Sequence, residues 1–345
     1  MLPEQQPKNN NVILGNKGAA LRSFFFQWEW MLLVIFIGIN IMNISISSNY
    51  LNLDNIMSVM IIFLDKAIMV YGIMMVLLLG EIDISIASIL TLSATCAGVA
   101  FDAGFPLIVA VFIALVVGAA CGAFNGFLLV KFPELNSTIV TLGNMILFRG
   151  IAYMLLEDDS LKGYAKELSF FAWNRVMGIP ISLIIFLIET LVFVYVIHQS
   201  RFGRKLYAMG TNITASYFSG VKTNSIKFWV YVISGLLAAL AGLFLVGKLG
   251  SVRANIARGY EMEVIAMAVL GGVSTAGGKG RVIGVVLGVF TIGLLRYGLG
   301  LVNISSQVLM IIIGVLLIVS VAIPNVKDVI TDSKEKRRIK RSAKG

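Results

Sequence analysis

The sequence predicts an all-α, polytopic transmembrane helical bundle of about ten spans with both termini cytoplasmic. Three observations carry this reading. Hydrophobic residues make up 58% of the 345 and charged residues 13%, against roughly 45–50% and 25% in soluble domains. Stretches without a single charge run from Trp30 to Leu53, Ala103 to Val130 and Tyr297 to Val326, each longer than the about 20 residues that cross roughly 30 Å of hydrocarbon. The basic residues gather in short segments between such stretches and in a closing run from Lys334 to Lys344, the pattern of cytoplasmic loops.

Ten apolar segments lie between polar breaks, at about 29–48, 55–79, 84–101, 105–130, 137–156, 179–199, 226–248, 262–278, 282–300 and 305–324. Threaded from the inside, they place Lys131, Arg201, Arg204, Lys205, Lys222, Lys227, Lys279 and Arg281 on the cytoplasmic side. The opposite side receives fewer basic residues, and acidic ones such as Glu157, Asp158 and Asp159 partly offset them. The domains are then a cytoplasmic N-terminal segment 1–28, a transmembrane domain 29–325 with a large cytoplasmic loop at about 200–225, and a basic cytoplasmic tail 326–345. The first apolar run exceeds a signal-peptide core and lacks a small-residue cleavage site, so it reads as a retained span. The second and eighth segments fit least well, the second because Asp65 and Lys66 interrupt it.

The net charge of +10 does not point to nucleic acid, which needs that charge on one exposed face beside base-contacting chemistry. Enzymatic chemistry is not expected either. His198 is the one histidine, Cys96 and Cys121 both fall inside apolar runs, and no triad, metal-ligand spacing or cofactor motif is present in the sequence. His198 reads as a solvated residue at the end of a span. The run from Gly271 to Gly280 superficially resembles a phosphate-binding loop, but Gly280 follows Lys279 where Ser or Thr is required, and apolar spans flank it.

Three segments stand out as functional candidates. Gly80 to Ser88 carries Glu81 and Asp83 at the junction of two spans. Carboxylates there are costly unless hydrated, paired or buried in protein; the segment is either a turn in which Asp83 or Ser85 caps the next helix or part of a pathway or gate. The loop from Arg201 to Lys222 offers a short amphipathic helix over Ala208–Phe218, stopped at Gly220, which either seats in a partner's groove or rests on lipid headgroups. In the third, Gly271 and Gly272 open either a broken helix or, with Gly284 and Gly288, a close helix contact. Polar residues within spans include Asn40, Asn43, Asn125, Thr141, Asn144 and Arg149, mostly neutral, which suits either a cavity for an uncharged polar solute or bonds between helices. Arg149 is expected to snorkel outward or to meet Glu157.

The run Gly80-Glu81-Ile82-Asp83-Ile84-Ser85-Ile86-Ala87-Ser88 resembles the Gly-Gly-Ile-Asp-Leu-Ser-Val-Gly-Ser signature of permease subunits in bacterial simple-sugar ABC importers, the ribose, xylose, arabinose, rhamnose and autoinducer-2 group. Three further segments agree in order: Ile139 to Gly150, Gly203 to Asn212, and Gly259 through Gly271 and Gly272 to Arg281. The resemblance covers roughly residues 50 to 325. It implies a multi-pass permease of the bacterial plasma membrane that pairs with a second identical or sister permease, cytoplasmic ABC ATPase subunits and an extracytoplasmic solute-binding protein. It also implies that the loop containing Gly203, Arg204, Lys205, Gly210, Asn212, Ser216, Ser219 and Gly220 is the coupling helix that docks on the ATPase. The cargo so implied is a rhamnose-like deoxysugar, a ribose-like pentose or autoinducer-2. Glu81 and Ala87 stand where many members have Gly, and these two positions look closer to the rhamnose and autoinducer-2 branches. Glu81, Asp83, Ser85, Thr141, Asn144, Arg149, Gly271 and Gly272 are the pathway or gating candidates. The competing class is an ion-coupled secondary transporter of a small polar solute, which needs an intramembrane charge to carry the ion; Asp65 beside Lys66 is its best candidate, with Glu263 behind.

Overall fold

The structure is a computed structural model, in which residues 28–47, 50–157, 159–305, 307–319 and 322 are described; the first 27 residues and the basic tail lie outside these. The helices are α1 (Trp28–Ile46), α2 (Leu53–Leu78), α3 (Ile86–Asp102), α4 (Leu107–Lys131) and α5 (Ser137–Leu156). Then come α6 (Gly163–Trp173), two-residue strands β1 (Arg175–Val176) and β2 (Ile179–Pro180), and α7 (Ile181–Val194), which continues as a π turn over Tyr195–Gln199. The chain continues through α8 (Arg201–Thr211), α9 (Ile213–Phe218), α10 (Thr223–Leu249), α11 (Tyr260–Leu270), α12 (Val282–Leu301) and α13 (Gln307–Val319).

Among the described residues six helices are long and apolar enough to cross a membrane: α2, α4, α5, α7 with its π turn, α10 and α12. They differ in where that apolar surface goes. In α2, 94% of the most apolar window is buried in protein, and in α10, 78%, whereas α4, α5 and α7 bury 28%. The inner pair is therefore α2 and α10, and the outer helices present their apolar sides outward, as lipid or a second membrane subunit requires. The second segment, interrupted by Asp65 and Lys66 in the sequence, is thus the most enclosed helix; both charges are paired inside the bundle.

Lipid tails are as apolar as leucine, so helices in a bilayer associate through close packing. Here α4 and α10 meet backbone to backbone. A methyl group added at Gly122 would lie 2.2 Å from the Tyr231 carbonyl oxygen, and one at Gly235 would lie 2.1 Å from that of Gly118. The same device joins α11 to α12: Gly284 packs on the Gly271 carbonyl and Gly288 on that of Met267. Both readings of the third segment hold, because the close contact coincides with a break. The eighth predicted span, 262–278, is corrected by it: α11 has 11 residues, about 16 Å at 1.5 Å per residue, and beyond Leu270 the chain turns through Gly272, whose φ is +87°.

The helix ends sort into two faces. At one, α8 and α9 lie with the C-terminal end of α2, the N-terminal ends of α5, α10 and α12, and the 271–280 turn. At the other, a single bridge joins Leu161 to Val252, Trp173 donates to the Lys248 carbonyl, and Arg175 pairs with Asp54 at 3.1 Å.

Gly122→Val is expected to destabilise the detergent-solubilised protein by about 1–3 kcal/mol or more, since overpacking against a backbone oxygen has no side chain to give way. Gly38→Ala, with nothing within 4 Å of the added carbon, is expected to be neutral or to gain up to about 1 kcal/mol from helix propensity. A thermal melt of the two variants beside the parent checks the pair; equal melting points would remove the close-packing account.

Candidate functional site

Residues 81–85 form a non-helical break between α2 and α3, entered through Gly80 at φ +79°. In a membrane protein a non-helical backbone needs partners within the protein, and α5 supplies them. The Ile82 amide donates to Ser137 Oγ (3.3 Å), the Ile84 amide to Thr141 Oγ1 (3.2 Å), and the Thr141 hydroxyl lies 3.2 Å from the Ile82 carbonyl. Thr141 is therefore a backbone strap for the break. On the other side Glu81 forms an ion pair with Lys227 of α10 and accepts from the Tyr231 hydroxyl at 2.9 Å. The residue that departs from the common family pattern thus has partners of its own.

Asp83 and Ser85 are corrected in one respect: neither side chain caps α3 in the ordinary way. Ser85 occupies the cap position without a side-chain cap bond. Instead Asp83 Oδ1 accepts both the amide and the hydroxyl of Ser85, at 2.8 and 2.6 Å, an Asx-type turn that sets the helix start. The hydrogen bonds then run on laterally. Asn125 of α4 donates to Ser85 Oγ (2.7 Å), and Asn144 of α5 donates to Asn125 Oδ1 (2.6 Å). Asp83, Ser85 and Asn125 are 1% exposed or less, so this chain joins the break to two spans in a dry interior, where each bond counts for more than in water.

The coupling-loop candidates fall on α8 and α9. The predicted single helix over Ala208–Phe218 is corrected to two, because Asn212 is extended (φ −159°) and its side chain accepts from the Ala215 amide at 2.9 Å. It ends the first helix and caps the second. Gly220 takes the left-handed stop at φ +81°, as expected. Gly203 is pressed on the π turn, where a Cβ would lie 2.0 Å from the Ile197 carbonyl oxygen. Arg204, Lys205, Asn212 and Ser219 are exposed, and Ser216 is buried. The residues missed from sequence are Ile213, Tyr217 and Phe218, which expose 52%, 63% and 82% of their surface. A six-residue helix showing three large apolar side chains was the available signal.

Gly210 lies at the point where three elements meet. The Gly278 amide donates to the Leu78 carbonyl at 2.9 Å, and a Cβ at Gly210 would fall 1.8 Å from that carbonyl oxygen and 2.4 Å from the Gly278 nitrogen. Gly277 in turn lies against Gly80, and the Tyr207 hydroxyl donates to the Gly280 carbonyl at 2.6 Å. Burial pushes the Tyr207 phenol up. The helix α8, the end of α2 and the 271–280 turn are thereby one assembly. His198 is exposed at the end of its span, as expected, and also joins this assembly: its Nε2 accepts from the Val282 amide at 3.2 Å and its ring stacks near Tyr207.

Arg149 does not meet Glu157; its guanidinium donates to the carbonyls of Ala254 and Ile256, both at 3.2 Å. A separate group of paired charges lies towards the other face. Lys66 pairs with Glu263 at 2.5 Å and lies 4.0 Å above the Tyr260 ring, Arg296 takes the other Glu263 oxygen at 2.5 Å, and Lys248 pairs with Asp65 at 2.6 Å. Among the described residues no group of three or more His, Cys, Asp or Glu side chains is placed to hold a metal ion.

Residues 52–321 match the model of a family described as branched-chain amino acid transport system / permease component. The ribose import permease protein RbsC of Escherichia coli (strain K12) is 36% identical over 287 residues, 82% of this chain and 89% of that protein. RbsC of Bacillus subtilis (strain 168) is 31% identical over 85% of this chain and 92% of its own. The autoinducer 2 import system permease protein LsrD of Klebsiella pneumoniae is 32% identical over 86% of this chain and 90% of its own. No solved structure matches the chain. With glycine contacts between spans and this match over most of its length, the chain belongs to the branched-chain amino acid transport system / permease component family of membrane permeases.

Proposed function

We propose that the chain is the membrane-spanning subunit of an ATP-binding-cassette importer for a simple sugar or sugar-like solute, working with separate cytoplasmic ATPase subunits, a second identical or sister permease and an extracytoplasmic solute-binding protein. Relatives named for ribose and for autoinducer 2 lie within 31–36% identity, so a ribose-like pentose, autoinducer 2 and a rhamnose-like deoxysugar are the candidate solutes. The proposed topology is multi-pass in the bacterial plasma membrane, with both termini cytoplasmic and α11 entering as a half-span. The basic loops support it, since they fall at the face that carries α8 and α9.

One observation carries the mechanism: α8 and α9 show an apolar patch outward while Gly210 rests directly on Leu78 and Gly278. Ile213, Tyr217 and Phe218 are anchors for a groove on the ATPase, a helix-in-groove contact. A push on this patch reaches the end of α2 through backbone contact, with no flexible side chain between. From Gly80 it continues into the 81–85 break, and from Asp83 and Ser85 to Asn125 and Asn144. Alternating access needs two arrangements that bind solute differently, and a break strapped by hydrogen bonds and an ion pair is the element suited to having two. Glu81, Asp83, Ser85, Thr141, Asn144, Gly271 and Gly272 act here as gate residues, whose contacts hold or release the inner end of the pathway. Arg149 belongs to the outer half.

Neither carboxylate named for the ion-coupled reading is unpaired, whereas Glu189 of α7 is buried with neither carboxylate oxygen hydrogen-bonded. Asp65 is paired with Lys248, and Glu263 with both Lys66 and Arg296, so a coupling cation would have to displace the protein's own.

Phe218→Asp and Gly210→Ala, each in the complete importer reconstituted in proteoliposomes, are expected to cut ATP-driven uptake at least about ten-fold while the chain remains in the membrane; an anchor lost from a groove is worth about 2 kcal/mol or more. Unchanged uptake in both would remove α8 and α9 from the coupling role. Asn125→Leu leaves Ser85 and Asn144 short of a partner, at about 1–3 kcal/mol each; uptake is expected to fall with ATP hydrolysis retained. Equal loss of both activities would make the network structural only. Asp65→Asn discriminates the alternative: uptake that is driven by a proton or sodium gradient without ATPase subunits, and abolished by this change, would favour the secondary transporter.

A further inference from the structure

Towards the face opposite α8 and α9, a cavity of about 460 Å³ opens between α5 and the start of α11, within the range of about 300–1,000 Å³ that small-molecule sites occupy. Arg149, Gly150 and Tyr153 of α5 form one wall, with Arg258 and Glu261 opposite. The outer surface of α5 is otherwise apolar: Ile146 and Met154 are 65% and 79% exposed, and an added carbon at Gly143 or Gly150 meets nothing within 4 Å. A helix side with Arg149 among such residues is a poor lipid surface, because guanidinium and carboxylate groups at membrane depth face water or protein.

The groups in this cavity are a matched set. Two carbonyls, of Ala254 and Ile256, hold one nitrogen of Arg149, which fixes the guanidinium and leaves its other N–H groups as donors. Glu261 has an enclosed carboxylate oxygen, Oε2, without a hydrogen-bond partner, an acceptor in search of an O–H. Tyr153 adds an aromatic wall with a polar tip. A hydroxyl needs a donor and an acceptor at once, and a sugar ring also presents an apolar C–H side. Arg149 beside Glu261 sets donor and acceptor within one cavity, which a solute rich in hydroxyls uses together, while Arg258 leaves the lining one positive charge in excess.

We propose that this cavity is the outer solute subsite of the permease, taking a polyhydroxylated solute through Arg149, Glu261 and Tyr153, with Arg258 at its mouth. The proposal rests on the importer reading and adds to it the place and chemistry of recognition. A second permease seated over the apolar parts of α5 would roof the cavity and leave it hydrated.

The test uses Gly150→Cys and Met145→Cys chains in membrane vesicles carrying the complete importer, with the unsubstituted chain, whose Cys96 and Cys121 lie inside α3 and α4, as background. A membrane-impermeant, charged thiosulfonate reagent is expected to label both positions, to block uptake of D-ribose at least about ten-fold, and to react more slowly when D-ribose is in excess. Labelling only by a lipid-soluble maleimide would overturn the proposal, as would labelling without a block of uptake. Protection by leucine and not by ribose would overturn the solute class. Glu261→Gln is expected to raise the half-saturating ribose concentration about ten-fold, the loss of one charge-assisted hydrogen bond, with ATP hydrolysis unchanged; an unaltered half-saturation would overturn its role. ATP dependence of uptake by the unsubstituted chain is measured in the same vesicles. Its absence would sink the importer reading while labelling and protection still decide the cavity.

Discussion

The carbonyl oxygen of Leu78 is the point on which the molecule depends. At the last turn of a helix this group has lost its intrahelical partner, and in a membrane protein it must find another. It finds the Gly278 amide, and it does so only because Gly210 and Gly278 lack the carbon that would stand in the way. Three distant parts of the chain are thereby fastened with no intervening side chain. A contact of this kind has little play, so α8, the end of α2 and the 271–280 turn move together or not at all.

Two interruptions of helix flank that junction, and each is handled differently. The 81–85 break is non-helical and draws its partners from α5 and α10, ending in a chain of buried amide and hydroxyl groups. The 271–280 turn is glycine-rich and draws its partners from α8 and the end of α2. A helix of 11 residues such as α11 cannot hold its place by length. Its register against α2 and α12 is set by Glu263, which engages Lys66 and Arg296 together. Removing one member of such a buried set leaves a charge without compensation, which is far costlier than the set is stabilising.

The two groups of polar residues therefore have separate duties. Towards the face with α8, amides and hydroxyls run on from Asp83 beside the Glu81–Lys227 pair and join a non-helical break to its neighbours. Towards the opposite face, charges are paired across four helices, an arrangement suited to a fixed frame. A transporter that changes shape at one end against a steady scaffold at the other fits this division.

Composition and apolar length were enough to establish a helical membrane protein and its helix boundaries within a few residues for most segments, since a bilayer selects on those quantities directly. The run from Gly80 to Ser88 and the other family segments were equally legible, because they are local. Residue order could not show that Asp65 and Lys66 lie at the centre and not at a weak point, since their partners Lys248 and Glu263 are nearly two hundred residues away. Nor could it show that Asn125 links Ser85 to Asn144, that Arg149 turns to two carbonyls and not to Glu157, or that α11 stops at half a span. Each of these was decided by which backbones come close enough to share hydrogen bonds, and that closeness is a property of the packed helices and not of any one of them.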